Sequence, residues 1–293
     1  MRFRFWGTRG SLPAPGPDTV KYGGNTTCIE IRTENDELII LDAGTGIREL
    51  GMELAPRDLL DCHLFISHTH WDHIQGAPFF LPLFKPGNKV AIYGPPDPVA
   101  MTGIETVLSR QMAYPHFPVR VVELQADIVY ETLTDGHVVD LGFATVSTHL
   151  MNHPAMNFGC KIKCEGKTIF FTGDHEPHFN IYQPDDDGYE EYEEVVSERC
   201  QALEDCLQGV DVFIADAQYT EEEYRTKQGW GHSTFEKTLE LARRAGVGKT
   251  FLTHHETSRS DSEVDAIFDR LCKQWNTCGV DFDMAREGEK FQL

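Results

Sequence analysis

Apolar residues in this chain fall into short runs whose spacing alternates between strand-like and helix-like stretches. Residues 3–8, 28–33 and 38–42 read as strands, with a Gly/Pro-rich loop at 10–24 between the first two. Helical spacing follows over 47–54, and residues 62–67 form another apolar strand, leading into a helix-like stretch at 74–83. The second half repeats this rhythm. Its runs predict strands at 143–148, 158–164, 168–172, 212–215 and 250–253, and helices at 192–207, 233–245 and 262–278. Strand-rich halves with helices between and after them predict helices packed outside a pair of sheets.

Length and composition are consistent with that picture. With 293 residues, 40% of them hydrophobic, the chain can bury a large core. The best apolar runs, 38–41 and 62–66, are strand-sized, so no membrane span is expected. Residues 1–6 alternate arginine with aromatics and lack a signal peptide's apolar core, which makes a cytoplasmic location the default expectation. The eight cysteines form no Cys-x-x-Cys pair. Cys160 and Cys164 alternate on one strand face and read as buried free thiols.

Charge narrows the partners. The net charge of −21 repels polyanions as a whole, which weighs against a large nucleic-acid substrate and little against a small anionic one. A local basic patch stays compatible with that total. Acids cluster at 184–194, which reads as a solvated loop running into a helix, with a lid beside the site as the alternative.

The strongest chemical signal is Ser67-His68-Thr69-His70-Trp71-Asp72-His73, directly after an apolar strand. His68 and His70 project to one side of extended chain. Asp72 and His73 follow where the chain turns, so one pair can serve one metal and the next pair a second. Imidazole and carboxylate together suit zinc with positions left open for water.

This motif resembles the metallo-β-lactamase superfamily, and the resemblance extends over nearly the whole chain. Asn152-His153-Pro154 looks like that family's third ligand motif, Thr172-Gly173-Asp174 its strand-end bridging aspartate, and Leu252-Thr253-His254 its last histidine. The resemblance implies an α/β fold, a four-layer αβ/βα sandwich formed as a single domain over 1–293, with the acidic segment as an insertion. It implies two divalent metal ions, zinc with manganese as the alternative. His68, His70 and His153 would hold one, Asp72, His73 and His254 the other, and Asp174 would bridge them. His255 competes with its neighbour for the last ligand position, and motif position favours His254. Asp42, in Leu41-Asp42-Ala43-Gly44, resembles the early aspartate that props the histidine loop. Histidine at position 70, where oxygen-reducing di-iron relatives usually carry glutamate, argues for hydrolysis.

Two such ions bring about +4 of charge, offset to roughly +1 by Asp72, Asp174 and a bridging hydroxide, the expected nucleophile. That centre suits an anionic phosphodiester, whose leaving alkoxide then needs a proton. Gly231-His232-Ser233-Thr234 resembles the His-Ser-Thr motif of the superfamily's phosphodiesterase branch, which includes RNase Z and cyclic-nucleotide phosphodiesterases. Asp216 would orient His232, so the expected catalytic set is Asp72, His232 and Asp216. Where RNase Z relatives carry His-Glu-Ala-Thr, this chain has Asp216-Ala217-Gln218-Tyr219, and it lacks their Gly/Pro-rich basic arm. The expected activity is therefore hydrolysis of a small phosphodiester, a cyclic nucleotide first. RNase Z-like RNA cleavage and thioester or lactam hydrolysis are the alternatives. Residues 114–118 and the trio His175, Glu176 and His178 are further candidates for the pocket. Dimerisation is common among similar proteins, so a homodimer is an assembly the resemblance allows, with no interface identified in the sequence.

Overall fold

The computed structural model describes residues 1–275 and 277–293. Among these residues two seven-stranded mixed sheets lie face to face. The first holds β1 (Arg2–Gly7), β2 (Cys28–Arg32), β3 (Leu38–Leu41), β4 (Asp61–Phe65), β5 (Lys89–Gly94) and β6 (Asp127–Thr132). The second holds β7 (Val138–Asp140), β8 (Thr145–Leu150), β9 (Phe158–Cys164), β10 (Lys167–Phe171), β11 (Val212–Asp216), β12 (Lys249–Thr253) and β13 (Asp281–Met284). The last strand, β14 (Lys290–Gln292), returns to the first sheet beside β1. Strands β3 to β6 run parallel, as do β10 to β13, while the rest of each sheet is antiparallel.

Period-two alternation sorts the side chains. Ile39 and Leu41 enter the core between the sheets, whereas Leu38 and Ile40 face the other way. In β11 Val212 and Ile214 face inward, and Phe213 and Ala215 outward. A cluster of rings, Phe3, Phe5, Phe251 and Phe291, closes one part of the inter-sheet core. Each fully buried ring stabilises the sandwich by about 1.5–3 kcal/mol relative to exposure. Cys160 and Cys164 are free thiols in this core.

Helices cover the outer faces. Helix α1 (Gly46–Leu54) buries Ile47, Leu50 and Leu54 on the first sheet, which also receives α3 (Ile104–Gln111) through Ile104 and Leu108. Helix α4 (Tyr189–Leu207), α6 (Phe235–Ala245) and α7 (Asp261–Trp275) cover the second, and the short α5 (Glu221–Tyr224) lies between α4 and α6 along the chain. The order helix, sheet, sheet, helix is the expected four-layer α/β sandwich. None of the helices described is long and apolar enough to cross a membrane.

One expected helix dissolves. Across 74–83 the chain forms only α2 (Trp71–Ile74) and two 3₁₀ turns, Ala77–Phe79 and Leu81–Phe84. Pro78 and Pro82 each lack the N–H that a continuing helix would need. The expected helix at 262–278 ends at Trp275, and its position 276 lies outside the described residues. Acids of the 184–194 segment split between an exposed loop and the first turns of α4.

Candidate metal centre

The carboxyl ends of the parallel strands meet at one edge of the sandwich, where α/β sheets commonly bind ligands. Asp42 follows β3, the histidine motif follows β4, and Asp174 follows β10 after Thr172 and Gly173. Asp216 closes β11 and His254 follows β12. His153 arrives from the turn after β8. The chain must bend sharply at several of these ends. Asp42, Gly173 and His254 adopt φ of 61°, 60° and 63°, and a histidine held there costs on the order of 1–2 kcal/mol.

The sequence-predicted donors converge. His68, His70, His153 and Asp174 bring ligand atoms within 4.8 Å of one another, and so do Asp72, His73, Asp174 and His254. His73 Nε2 and His254 Nε2 each lie 3.1 Å from Asp174 Oδ1, and His68 Nε2 lies 3.4 Å from Asp174 Oδ2. His70 Nδ1 and His153 Nε2 approach to 3.1 Å. A third grouping, of Asp174, Asp216, His232 and His254, adjoins them.

The chemistry of this donor set fits a divalent cation. His68 Nε2, His73 Nε2 and Asp174 Oδ1 are buried and, although close to one another, make no well-aligned hydrogen bond, and such atoms cost about 1–3 kcal/mol each when left unpaired. Burial pushes the His68, His70 and His153 imidazoles toward the neutral form that binds metals. Burial also opposes charge on His73 and His254, but the nearby carboxylates outweigh it. Asp174, Asp72 and Asp42 raise His73, and Asp174 and Asp216 lead in raising His254 to about 9. Burial would raise Asp174, yet His254, His73 and His68 hold it well below the usual carboxylate range. The field of the centre is therefore negative and draws positive charge, which a metal ion satisfies as a proton does.

The surrounding shell fixes these donors. Asp42 accepts hydrogen bonds from the Ser67 N–H at 2.7 Å and its hydroxyl at 2.9 Å, and pairs with His73 Nδ1 at 2.7 Å. His153 Nδ1 lies 3.0 Å from the Gly231 carbonyl, which orients its other nitrogen toward His70. Gly231 has φ 93°, and a Cβ there would sit 2.3 Å from His153 Nδ1, so only glycine fits. The Ser11 N–H donates to Asp72 Oδ2 at 2.7 Å, and Gly10 lies against the His254 ring. The N-terminal loop thus forms the floor of the site. His255 turns away, its Nε2 2.9 Å from the Ala285 carbonyl, so His254 alone of the pair reaches the cluster.

His232 stands beside the donors. Its ring stacks on His254 with centroids 4.7 Å apart, and its Nδ1 lies 2.8 Å from Asp216 Oδ2. Glu176 holds the preceding loop, accepting from the Gly229 N–H at 2.7 Å, the Gly231 N–H at 2.9 Å and the Tyr224 hydroxyl at 2.6 Å. Sequence reasoning noted Glu176 but missed this role, because its partners lie some fifty residues downstream. His175 is buried and His178 half-buried, both on the wall of a cavity beneath α4. In the 114–118 segment Tyr114 and His116 are exposed, and Phe117 meets Phe79 edge to face.

Residues 38–255, which carry every one of these donors, match the β-lactamase superfamily domain. The chain belongs to the β-lactamase superfamily. A ribonuclease Z of Staphylococcus aureus (strain Newman) is similar to this superfamily member along its full length, at 21% identity over 324 residues with 100% of each chain covered. Among solved structures, the metallo-β-lactamase fold protein YhfI from Bacillus subtilis aligns with a TM-score of 0.67 at 17% identity, covering 99% of both chains. A diphosphatase from the PhnP family aligns with a TM-score of 0.65 at 15% identity, covering 100% of this chain and 97% of that one. At these identities the structural likeness shows the metallo-β-lactamase fold alone.

Proposed function

We propose that this superfamily member hydrolyses small phosphodiesters, with a cyclic nucleotide as the substrate, using two divalent metal ions of the zinc or manganese type. The observation that carries this reading is the His232–Asp216 pair beside the donor cluster. His68, His70 and His153 would hold one ion and Asp72, His73 and His254 the other, with Asp174 shared. Such ions supply a water of lowered pKa and offset the charge of a phosphodiester.

The side chains then have distinct tasks. Asp216 engages Nδ1 of His232, so the proton available to a leaving alkoxide is the one on Nε2. Stacking on His254 keeps that imidazole at the edge of the cluster. A thiolate leaves without a proton, so this pair has less to do in thioester hydrolysis. Glu176 and the Gly231 carbonyl hold the loop that carries both His232 and the partner of His153.

RNA cleavage of the RNase Z kind is the second reading, favoured by the full-length similarity to the Staphylococcus aureus enzyme. The net charge of −21 weighs against it. The test is hydrolysis by zinc- or manganese-loaded protein of a cyclic-nucleotide panel, bis-p-nitrophenyl phosphate, a thioester and a precursor transfer RNA. Turnover of cyclic nucleotides with little RNA cleavage supports the first reading. Preferential RNA cleavage replaces it with the second, and preference for the thioester removes both.

A further inference from the structure

The alternation of arginine with aromatics at the start of the chain has no part in the metal centre. Phe3 and Phe5 face the inter-sheet core, which turns Arg2 and Arg4 to the opposite face of β1. Antiparallel register sets Arg2 directly across from Arg32 on β2, and Arg4 directly across from Lys290 on β14. Like charges directly opposite one another destabilise a sheet, and here two such pairs adjoin.

A cavity of about 170 Å³ opens over them, lined by Arg2, Arg4, Arg32, Arg57 and Lys290 with Glu30 and Glu53. Asp36 on its rim takes Arg2 Nη2 at 2.6 Å, and Arg57 and Arg32 as well. Glu53 takes Arg4 Nη1 at 2.7 Å, and Glu30 pairs with Arg32 Nε. Positive charge still exceeds negative, on a chain whose total is −21. The pairings of Arg2, Arg4 and Arg57 each engage one terminal nitrogen and leave other guanidinium donors for a ligand. Arg4 Nε and Arg32 Nη2 are buried with no acceptor.

We propose that this cavity is a seat for a small phosphate oxyanion, either free phosphate or the phosphate group of a monoester. Planar guanidinium groups and an ammonium converging on one polar cavity match the charge and the several acceptor oxygens of such a group. The seat is separate from the metal centre. Arg32 pairs with Leu38 at the start of β3, whereas Asp42 follows its far end. Four residues of strand separate those ends by about 13 Å of backbone.

Isothermal titration of metal-loaded protein with inorganic phosphate tests the seat, with His68→Ala and Lys290→Glu titrated in parallel. Phosphate binding should persist in His68→Ala and weaken about tenfold or more in Lys290→Glu, at a melting temperature that does not fall. Arg57→Ala, on the rim, should weaken it in the same direction without touching the buried guanidinium of Arg32. Ribose 5-phosphate in place of phosphate separates the two sources, since tighter binding marks a monoester seat and weaker binding a seat for free phosphate. Binding that disappears in His68→Ala and is unaltered in both Lys290→Glu and Arg57→Ala would put all the phosphate at the metal centre and overturn the proposal.

Discussion

The two sheets are built alike, each passing from antiparallel to parallel strands and each delivering donors at its parallel end. They deliver those donors in different ways. The first sheet supplies His68, His70, Asp72 and His73 from one continuous turn braced by a single buried carboxylate, Asp42. The second supplies His153, Asp174, Asp216, His232 and His254 from separate strand ends and loops, tied together by Asp216 and Glu176. A compact turn gives a site rigidity from local chain geometry. Scattered strand ends need long-range hydrogen bonds to hold the same precision, and in the proposed mechanism this half adds an acid, His232, to its share of the metal ligands.

The sharpest way to break this division is at the residue both clusters share. Asp174→Ala removes the one carboxylate common to both donor groups, and metal content by mass spectrometry should fall at both sites together with activity. Loss of only one equivalent of metal would show that the two sites bind independently. Next in size is His232→Ala, which should keep metal bound and slow turnover by about 10²–10⁴-fold. Asp42→Asn tests the brace on the first half. Metal affinity, read by competition with a chelator, should drop by about 10–100-fold. Glu176→Gln tests the brace on the second half and should lower kcat, with a smaller loss of metal affinity than Asp42→Asn, because Glu176 reaches the donor His153 only through the Gly231 backbone.

The smallest effect lies at the seam where the chain crosses from β13 to β14. Burial raises the Glu287 carboxyl to about 7, while the Asn25 amides partly oppose the shift. An acid whose folded pKa lies above its unfolded value of 4.5 binds its proton more tightly when folded. Its contribution to stability is therefore full below about pH 4.5 and lost as pH rises through about 7. Melting temperatures from pH 5 to 8 should fall in wild type by more than in Glu287→Gln.

The difference between the halves also sets what was legible in the sequence. Four donors in six residues after an apolar strand declare themselves by spacing alone. His153, Asp174 and His254 are single residues at strand ends, readable only through resemblance to known motifs. Strands β3 and β11 were legible as short continuous apolar runs, and β9 from its alternation. The edge strands β7 and β14, each three residues long, carry too little pattern to read. Residues 74–83 show the opposite failure, an apolar run whose prolines at 78 and 82 outweigh its helical spacing. Glu176 holds its loop through partners that only the fold brings near.

The central claim is that His232 delivers a proton to the leaving group of a phosphodiester. The most direct test compares metal-loaded wild type with His232→Ala on phosphodiesters that differ only in the pKa of the leaving alcohol. Slowing that is large for alkyl leaving groups and small for p-nitrophenolate is the result expected of a general acid. Equal slowing across the series would contradict the account and leave His232 a role in binding or positioning alone.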